Sequence, residues 1–234
     1  FANAGDFTFI FTGDIDLEKL KPLVETYIAS LPTTGVKQEY KDNHVRYAKG
    51  KIIRHIEKEL TTDKASISVL YTAKLPYSAE NKILSAAFRY ILRDRYMKSI
   101  REEKGGAYSV SVNATEEAVP TNQVTIEVNF DTAPFMADEM LAIVQKEIDD
   151  LVKNGPSSSE LENAQRYFNK LYKTNISTNS YWQETLSDYY RYGIDNFTNY
   201  ENTMNGLTPS DIRKFAKTVF GQKNKMEFVL LPKK

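Results

Sequence analysis

The chain has 234 residues, enough to bury a sizeable core as one large domain or two small ones. Its 31 lysines and arginines balance its 31 aspartates and glutamates, so it lacks the excess positive charge on which nucleic-acid and anionic-membrane binders rely. With no cysteine it has no disulfide, thiolate metal site or cysteine nucleophile, and no apolar run approaches the ~18 residues of a membrane span.

The chain starts at Phe1 with no basic-then-apolar leader and reads as a piece of a longer polypeptide or a processed product. Phe7, Phe9 and Phe11 alternate on one face, which predicts a strand, and Gly13-Asp14 makes a turn. Leu17, Leu20, Leu23, Val24, Tyr27, Ile28 and Leu31 then recur at helical spacing. Asp16 is the natural cap, although Pro22 lacks an interior N–H and allows a start nearer Lys21. That turn and cap explain Asp14 and Asp16 better than paired-carboxylate chemistry does. Residues 36–50 are polar and aperiodic, a crossing loop within the domain.

Residues 51–60 and 65–75 read as strands joined by the turn at 61–64. After Pro76 and Ser78 a long helix carries Ile83, Leu84, Ala87, Phe88, Ile91 and Leu92 on one face. It should run to about Lys104 and stop at Gly105-Gly106. Residues 107–114 and 122–130 alternate strictly and predict a hairpin. Met136, Met140, Ile143, Val144, Ile148, Leu151 and Val152 mark another helix, stopped by Asn154-Gly155-Pro156. The next opens with capping-box spacing, Ser157 to Glu160 or Ser159 to Glu162, which also accounts for the serine run. Helices follow at 179–191 and 208–219, the latter capped at Thr208-Pro209, and 225–232 closes as a strand. Strands grouped early, helices late and a returning last strand give an α+β class: a two-layer, antiparallel-rich sheet with helices packed on one face, as a single domain over 1–234.

His44 and His55 are the only histidines, and neither has a partner at the offset that places two ligands on one helix face. His55, Glu57 and Glu59 would share one strand face as a solvated charged edge. The zinc motifs His-Glu-x-x-His and His-x-x-Glu-His are absent, as is a Gly-x-Ser-x-Gly elbow. The 15 tyrosines suit either a contact surface with another protein part or ordinary half-buried packing. Arg101 and Tyr108, seven residues apart across the glycine pair, also allow two readings. They are a favourable cation near a helix C-terminus and a strand aromatic, or two donors held to grip a peptide backbone or a developing oxyanion.

Four stretches resemble the insulinase/pitrilysin family of zinc peptidases, the inverzincins, in order and spacing: "FTFIFTGDIDLEKLKPLVETYIASLP", "SIREEKGGAYSVSV", "IDDLVKNGPSSSELENAQRYF", and "GLTPSDIRKFAKTVF" with "KMEFVLLP". The stretch "SIREEKGGAYSVSV" resembles that family's Arg-Tyr segment. The resemblance implies a mitochondrial-processing-peptidase-like fold and an enzyme of two similar halves that close on a peptide. The N-terminal half of such an enzyme carries the zinc motif His-x-x-Glu-His and a more distant glutamate, and the C-terminal half carries the arginine and tyrosine. This chain is similar to the C-terminal set and lacks the N-terminal one.

By that resemblance the chain is the C-terminal, non-zinc domain of a zinc metalloendopeptidase, inactive alone, with Tyr108 contacting the tetrahedral intermediate and Arg101 orienting the peptide. Its implied partners are a peptide substrate and an N-terminal half or partner subunit holding the zinc; it holds no cofactor itself, and nucleic acid and a membrane span are not expected. A non-catalytic scaffold or partner subunit of the same fold is the alternative, and an unrelated binding module with a tyrosine-rich interface is a third. The Lys-, Asn- and Tyr-rich, cysteine-free composition suits a bacterial periplasmic or extracytoplasmic setting.

Overall fold

In the computed structural model, which describes residues 3–233, five strands form one sheet. They are β1 (Lys51–Lys58), β2 (Ala65–Lys74), β3 (Ser111–Glu117), β4 (Gln123–Thr132) and β5 (Asn224–Pro232), in spatial order β1-β5-β2-β4-β3. Only β1 and β5 run parallel; the other neighbours are antiparallel. The α-helices are α1 (Leu17–Tyr27), α2 (Ala79–Tyr96), α3 (Ala137–Lys153), α4 (Ser158–Asn175), α5 (Asn179–Tyr192), α6 (Tyr200–Gly206) and α7 (Pro209–Phe220). The chain divides into two compact units, Phe1–Val45 with Leu171–Thr198, and Arg46–Lys170 with Asn199–Lys234. The larger unit holds the whole sheet.

Alternation decides which face of that sheet is covered. Ala65, Ile67, Val69, Tyr71 and Ala73 of β2 are buried, in register with Val124, Ile126, Val128, Phe130 and Thr132 of β4. Against them pack Phe88, Ile91 and Leu92 of α2, Met140, Val144 and Ile148 of α3, and Ile212 and Phe215 of α7. Each large side chain so buried contributes ~1.5–3 kcal/mol relative to exposure. The intervening residues Ser66 and Asp131 face away from the helices and are exposed. An antiparallel-rich sheet with helices on one face is therefore the architecture, as the residue pattern anticipates.

Caps explain where the helices start. Asp16 accepts from the N–H groups of Glu18 and Lys19, so α1 begins at Leu17 and carries Pro22 inside it. Ser78 caps α2 through Asn81 N–H. Of the two possible boxes on α4, Ser157 and Glu160 form the real one. Thr208 and Asp211 make another on α7.

Four features depart from the sequence reading. Residues 7–12 form no strand, and Phe7, Phe9 and Phe11 all remain exposed. A strand needs a neighbour's backbone, and none of the described residues pairs with this one. β1 and β2 follow each other in sequence but do not touch as strands, because β5 lies between them. β3 starts at Ser111 rather than near 107, which leaves Tyr108 ahead of the strand. The short helix α6 has no counterpart in the residue pattern; its length gives periodicity little to register.

Two contacts tie α2 to its neighbours α3 and α4. Tyr96 is fully buried, and its hydroxyl donates to the Val144 carbonyl at 3.0 Å. Burial pushes that phenol's pKa well above its usual value, so it stays a donor. One residue earlier, the Arg95 guanidinium bonds both Glu160 oxygens at 2.6 and 3.1 Å and Asp150 at 2.7 Å, with Glu147 at 3.5 Å. It thereby joins α2, α3 and α4. Glu160 is shared with the α4 cap, where it accepts from Ser157 N–H.

Arg95→Ala strands these carboxylates and should destabilise the protein by about 3 kcal/mol, the low end for a broken buried pair because Asp150 is partly exposed. The pH dependence follows from the same bonds. Hydrogen bonds from Arg95 and Asn154 hold Asp150 below the usual carboxylate range. Burial alone would raise Glu160, but bonds from Arg95 and Ser157 outweigh it and hold it low too. Depressed folded-state values add stability that is present above the unfolded values near pH ~4 and is lost as pH falls through the folded ones. Urea unfolding measured from neutral to acid pH should show that loss in the wild type and a flatter profile in Arg95→Ala.

Candidate functional site

Arg101 and Tyr108 are brought together by the way α2 ends. Past Tyr96 the helix widens into a π-helical turn, Met97–Glu102, in which Glu103 N–H reaches the Lys98 carbonyl at 2.9 Å. Single π turns of this kind recur at functional sites. The chain then reverses at Gly105, with φ of 59°, a left-handed conformation that glycine adopts at little cost. Gly106 N–H closes the helix end on the Ile100 carbonyl at 2.8 Å. Gly106 also lies directly against α3: a Cβ there would sit 2.0 Å from the Met140 sulfur. Met140 is itself fully buried and has little room to retreat.

This reversal folds the tyrosine back over the arginine. The Arg101 guanidinium carbon lies 5.4 Å from the centroid of the Tyr108 ring, a cation–π contact worth ~0.5–1 kcal/mol at an exposed site. Tyr108 is 87% exposed, unusually open for an aromatic held in place by its neighbours. The flanking lysines are committed elsewhere, Lys98 to Asp94 and Lys104 to Glu139, each at 2.8 Å. Among the described residues no carboxylate pairs with Arg101. A cation–π contact uses none of the guanidinium's N–H donors.

Tyr108 also forms part of the wall of an open cavity of about 890 Å³. Gly105 to Ser109 and Ser111 supply one side, and the ends of β4, β2, β5 and β1 supply the floor. Ser66, Ser68 and Asn129 bring neutral polar groups, Asp63, Lys64 and Asp131 charged ones, and Ile56, Phe228 and Leu230 apolar ones. These residues lie on strands that are neighbours only through the order β1-β5-β2-β4-β3, so no linear motif announces the cavity.

The other candidates stay apart from this site. Asp16 and Ser157 act as caps. His44 sits at positive φ in the polar loop with its ring nitrogen 3.6 Å from Asp42. His55 Nε2 is 4.0 Å from Glu227, whose carboxylate is taken by Lys225 at 2.8 Å. Among the described residues no group of three or more His, Asp or Glu side chains is placed to hold a metal ion. Nor is any of their helices long and apolar enough to cross a membrane.

The sequence profile of the family described as "Peptidase M16 inactive domain" matches residues 1–168. The chain is 26% identical over 192 residues to the probable zinc protease PqqL of Haemophilus influenzae, covering 78% of this chain and 20% of that protein. Among solved structures, the periplasmic protease PqqL from Escherichia coli superposes with a TM-score of 0.78 at 21% identity, over 94% of this chain and 25% of that one. The peptidase M16 inactive domain from Pseudomonas fluorescens gives 0.73 at 20% identity, over 95% of this chain and 53% of that one. The structural likenesses establish the fold, and the chain spans only about a fifth of the length of the curated relative. The profile covers most of the chain, and the fold agrees: this chain belongs to the peptidase M16 inactive-domain family, the insulinase-type lineage that its Arg-Tyr segment resembles.

Proposed function

We propose that this domain binds the peptide substrate and supports the transition state of a zinc-dependent endopeptidase, with Arg101 and Tyr108 as the groups that touch substrate. The observation that carries this reading is the contact itself: an arginine whose guanidinium carbon lies 5.4 Å from the ring centroid of an exposed tyrosine, at a helix end beside a cavity. The arginine fork suits paired bonds to backbone carbonyl oxygens. The phenol suits a single bond to the scissile carbonyl oxygen as it gains negative charge.

The donor set for zinc does not fit this chain, whose histidines each sit beside a single carboxylate. The metal would belong to an N-terminal half or partner subunit. Support for such a partner comes from the smaller unit. Its Phe7, Phe9 and Phe11 are exposed and none of the residues of α1 is buried, although both segments are patterned to bury one face. A periplasmic or other extracytoplasmic setting is part of the same proposal, by similarity to the periplasmic PqqL of Escherichia coli.

In the full-length enzyme, Tyr108→Phe removes only the hydroxyl and should lower kcat by ~100–1,000-fold, with KM little changed. An unchanged kcat would overturn the role given to Tyr108. Arg101→Ala should raise KM as well, since it loses both the carbonyl grip and the ring's support. Arg101→Lys should not restore it, because an ammonium lacks the planar fork.

Gly106→Ala drives a methyl group into Met140, so the strand entry or α3 must move. It should cost about 1–3 kcal/mol in denaturant unfolding. A shift of the Tyr108 ring by ~1 Å should also lower kcat/KM by up to ~100-fold. Wild-type values of both would mean that the reversal tolerates a side chain and does not set the site.

A further inference from the structure

The open face of the sheet has a use that its fold does not require. On β2 and β4 the residues facing away from the helices include Ser66, Ser68, Asn129 and Asp131, as befits a solvated face. On the next strands the same face turns apolar. Register places Phe228 beside Ser68 and Leu230 beside Ser66, with Ile56 beyond Leu230 on β1. Phe228 is 38% exposed and Ile56 42% exposed. They sit on the floor of the cavity whose wall includes Tyr108.

We propose that this apolar floor is a substrate subsite, which takes a bulky apolar side chain of the peptide whose reacting carbonyl Tyr108 contacts. The inference rests on the function proposed above for Tyr108. Three observations select a substrate segment as the occupant. The cavity is continuous with Tyr108, which lines it. Its volume of about 890 Å³ suits a bound ligand segment, since such sites run ~300–1,000 Å³. The path from Tyr108 to the floor carries Ser66, Ser68, Ser111 and Asn129, which can serve a peptide backbone, with the charged Asp63, Lys64 and Asp131 also on the lining.

The strand order also sets the distance. Tyr108 leads into β3, and the floor lies on β5 and β1, three and four strand spacings away. At ~4.8 Å per spacing that is ~14–19 Å. An extended peptide at ~3.3–3.6 Å per residue crosses it in about four to six residues. The apolar side chain therefore sits about four to six residues from the scissile bond. The carboxylate of Asp131, bonded to the Ser66 hydroxyl at 2.7 Å, stands between the two ends.

The test uses the full-length enzyme and a series of peptides with a fixed cleavage site. A phenylalanine or leucine is placed at successive positions away from that site, against serine at the same position. The wild type should prefer the apolar residue by about tenfold or more in kcat/KM within the four-to-six window. Phe228→Ser with Ile56→Ser should remove that preference while cleavage of the serine peptides is unchanged. Ile56→Ser alone, on the exposed edge strand, should halve or better reduce the preference and serves where the double variant fails to fold. A wild type with no preference in the window, or variants that slow both peptide classes equally, would overturn the subsite. Tyr108→Phe on the same peptides separates the two ideas. If it slows every peptide alike while no apolar preference exists, only the subsite falls; if it leaves kcat unchanged, the role of Tyr108 falls first.

Discussion

Backbone at Gly106 lies so close to α3 that an added Cβ would come within 2.0 Å of the Met140 sulfur. The chain can reach that position only because Gly105 turns it through a left-handed conformation. The site depends on these two residues together. They convert a helix end into an extended segment within a single turn, so that Tyr108 doubles back to Arg101 instead of continuing away from it. The π turn before them shifts the arginine around the helix axis, and it begins directly after Tyr96, whose hydroxyl is anchored on the Val144 carbonyl. Site residues held by packed helix and buried backbone keep their geometry better than residues on a free loop.

The Arg95 network secures the same assembly from the other direction. One cation faces three carboxylates, and the excess negative charge is tolerated because Glu160 and Asp150 find further donors in Ser157 and Asn154. α2 and α3 are thus joined twice, through an apolar side with one buried phenol and through a charged side that also brings in α4. The distance from α3 to the glycine pair is therefore set by contacts well away from the exposed pair they serve.

Much of this was legible in the sequence where the signal is local. Asp16, Ser157 and Thr208 are caps because a side-chain oxygen can reach the N–H two or three residues on, and those offsets are visible in the linear chain. The stop at Gly105-Gly106 and the alternation in β2 and β4 are of the same kind. What failed was non-local. Phe7, Phe9 and Phe11 alternate as a strand does, but alternation records a buried face and not the neighbour that would bury it. The β3 ladder opens only at Ser111 opposite Asn129, although β4 runs on to Thr132, and pairing cannot be read from one strand alone. The cavity floor depends on β5 inserting between β1 and β2, a placement made by residues more than 150 positions apart. Arg101 and Tyr108 lay between these cases: their separation was readable, and their contact needed the π turn.

In the role proposed for them, Arg101 and Tyr108 also define what this domain would leave to others. A guanidinium cannot give up its proton in a protein, and a phenol at neutral pH serves as a donor. Such a pair stabilises negative charge where it appears, but neither member is a base that could activate water. Under the proposed function, hydrolysis would therefore be initiated by groups of another kind, and the histidines of this chain are not arranged to provide them. The same division accounts for the exposure of the pair. A transition-state donor is effective in a site from which water is excluded, yet Tyr108 is 87% exposed here. In the proposed function the donors would gain their full strength only under a further surface, and the initiating chemistry would sit on that surface.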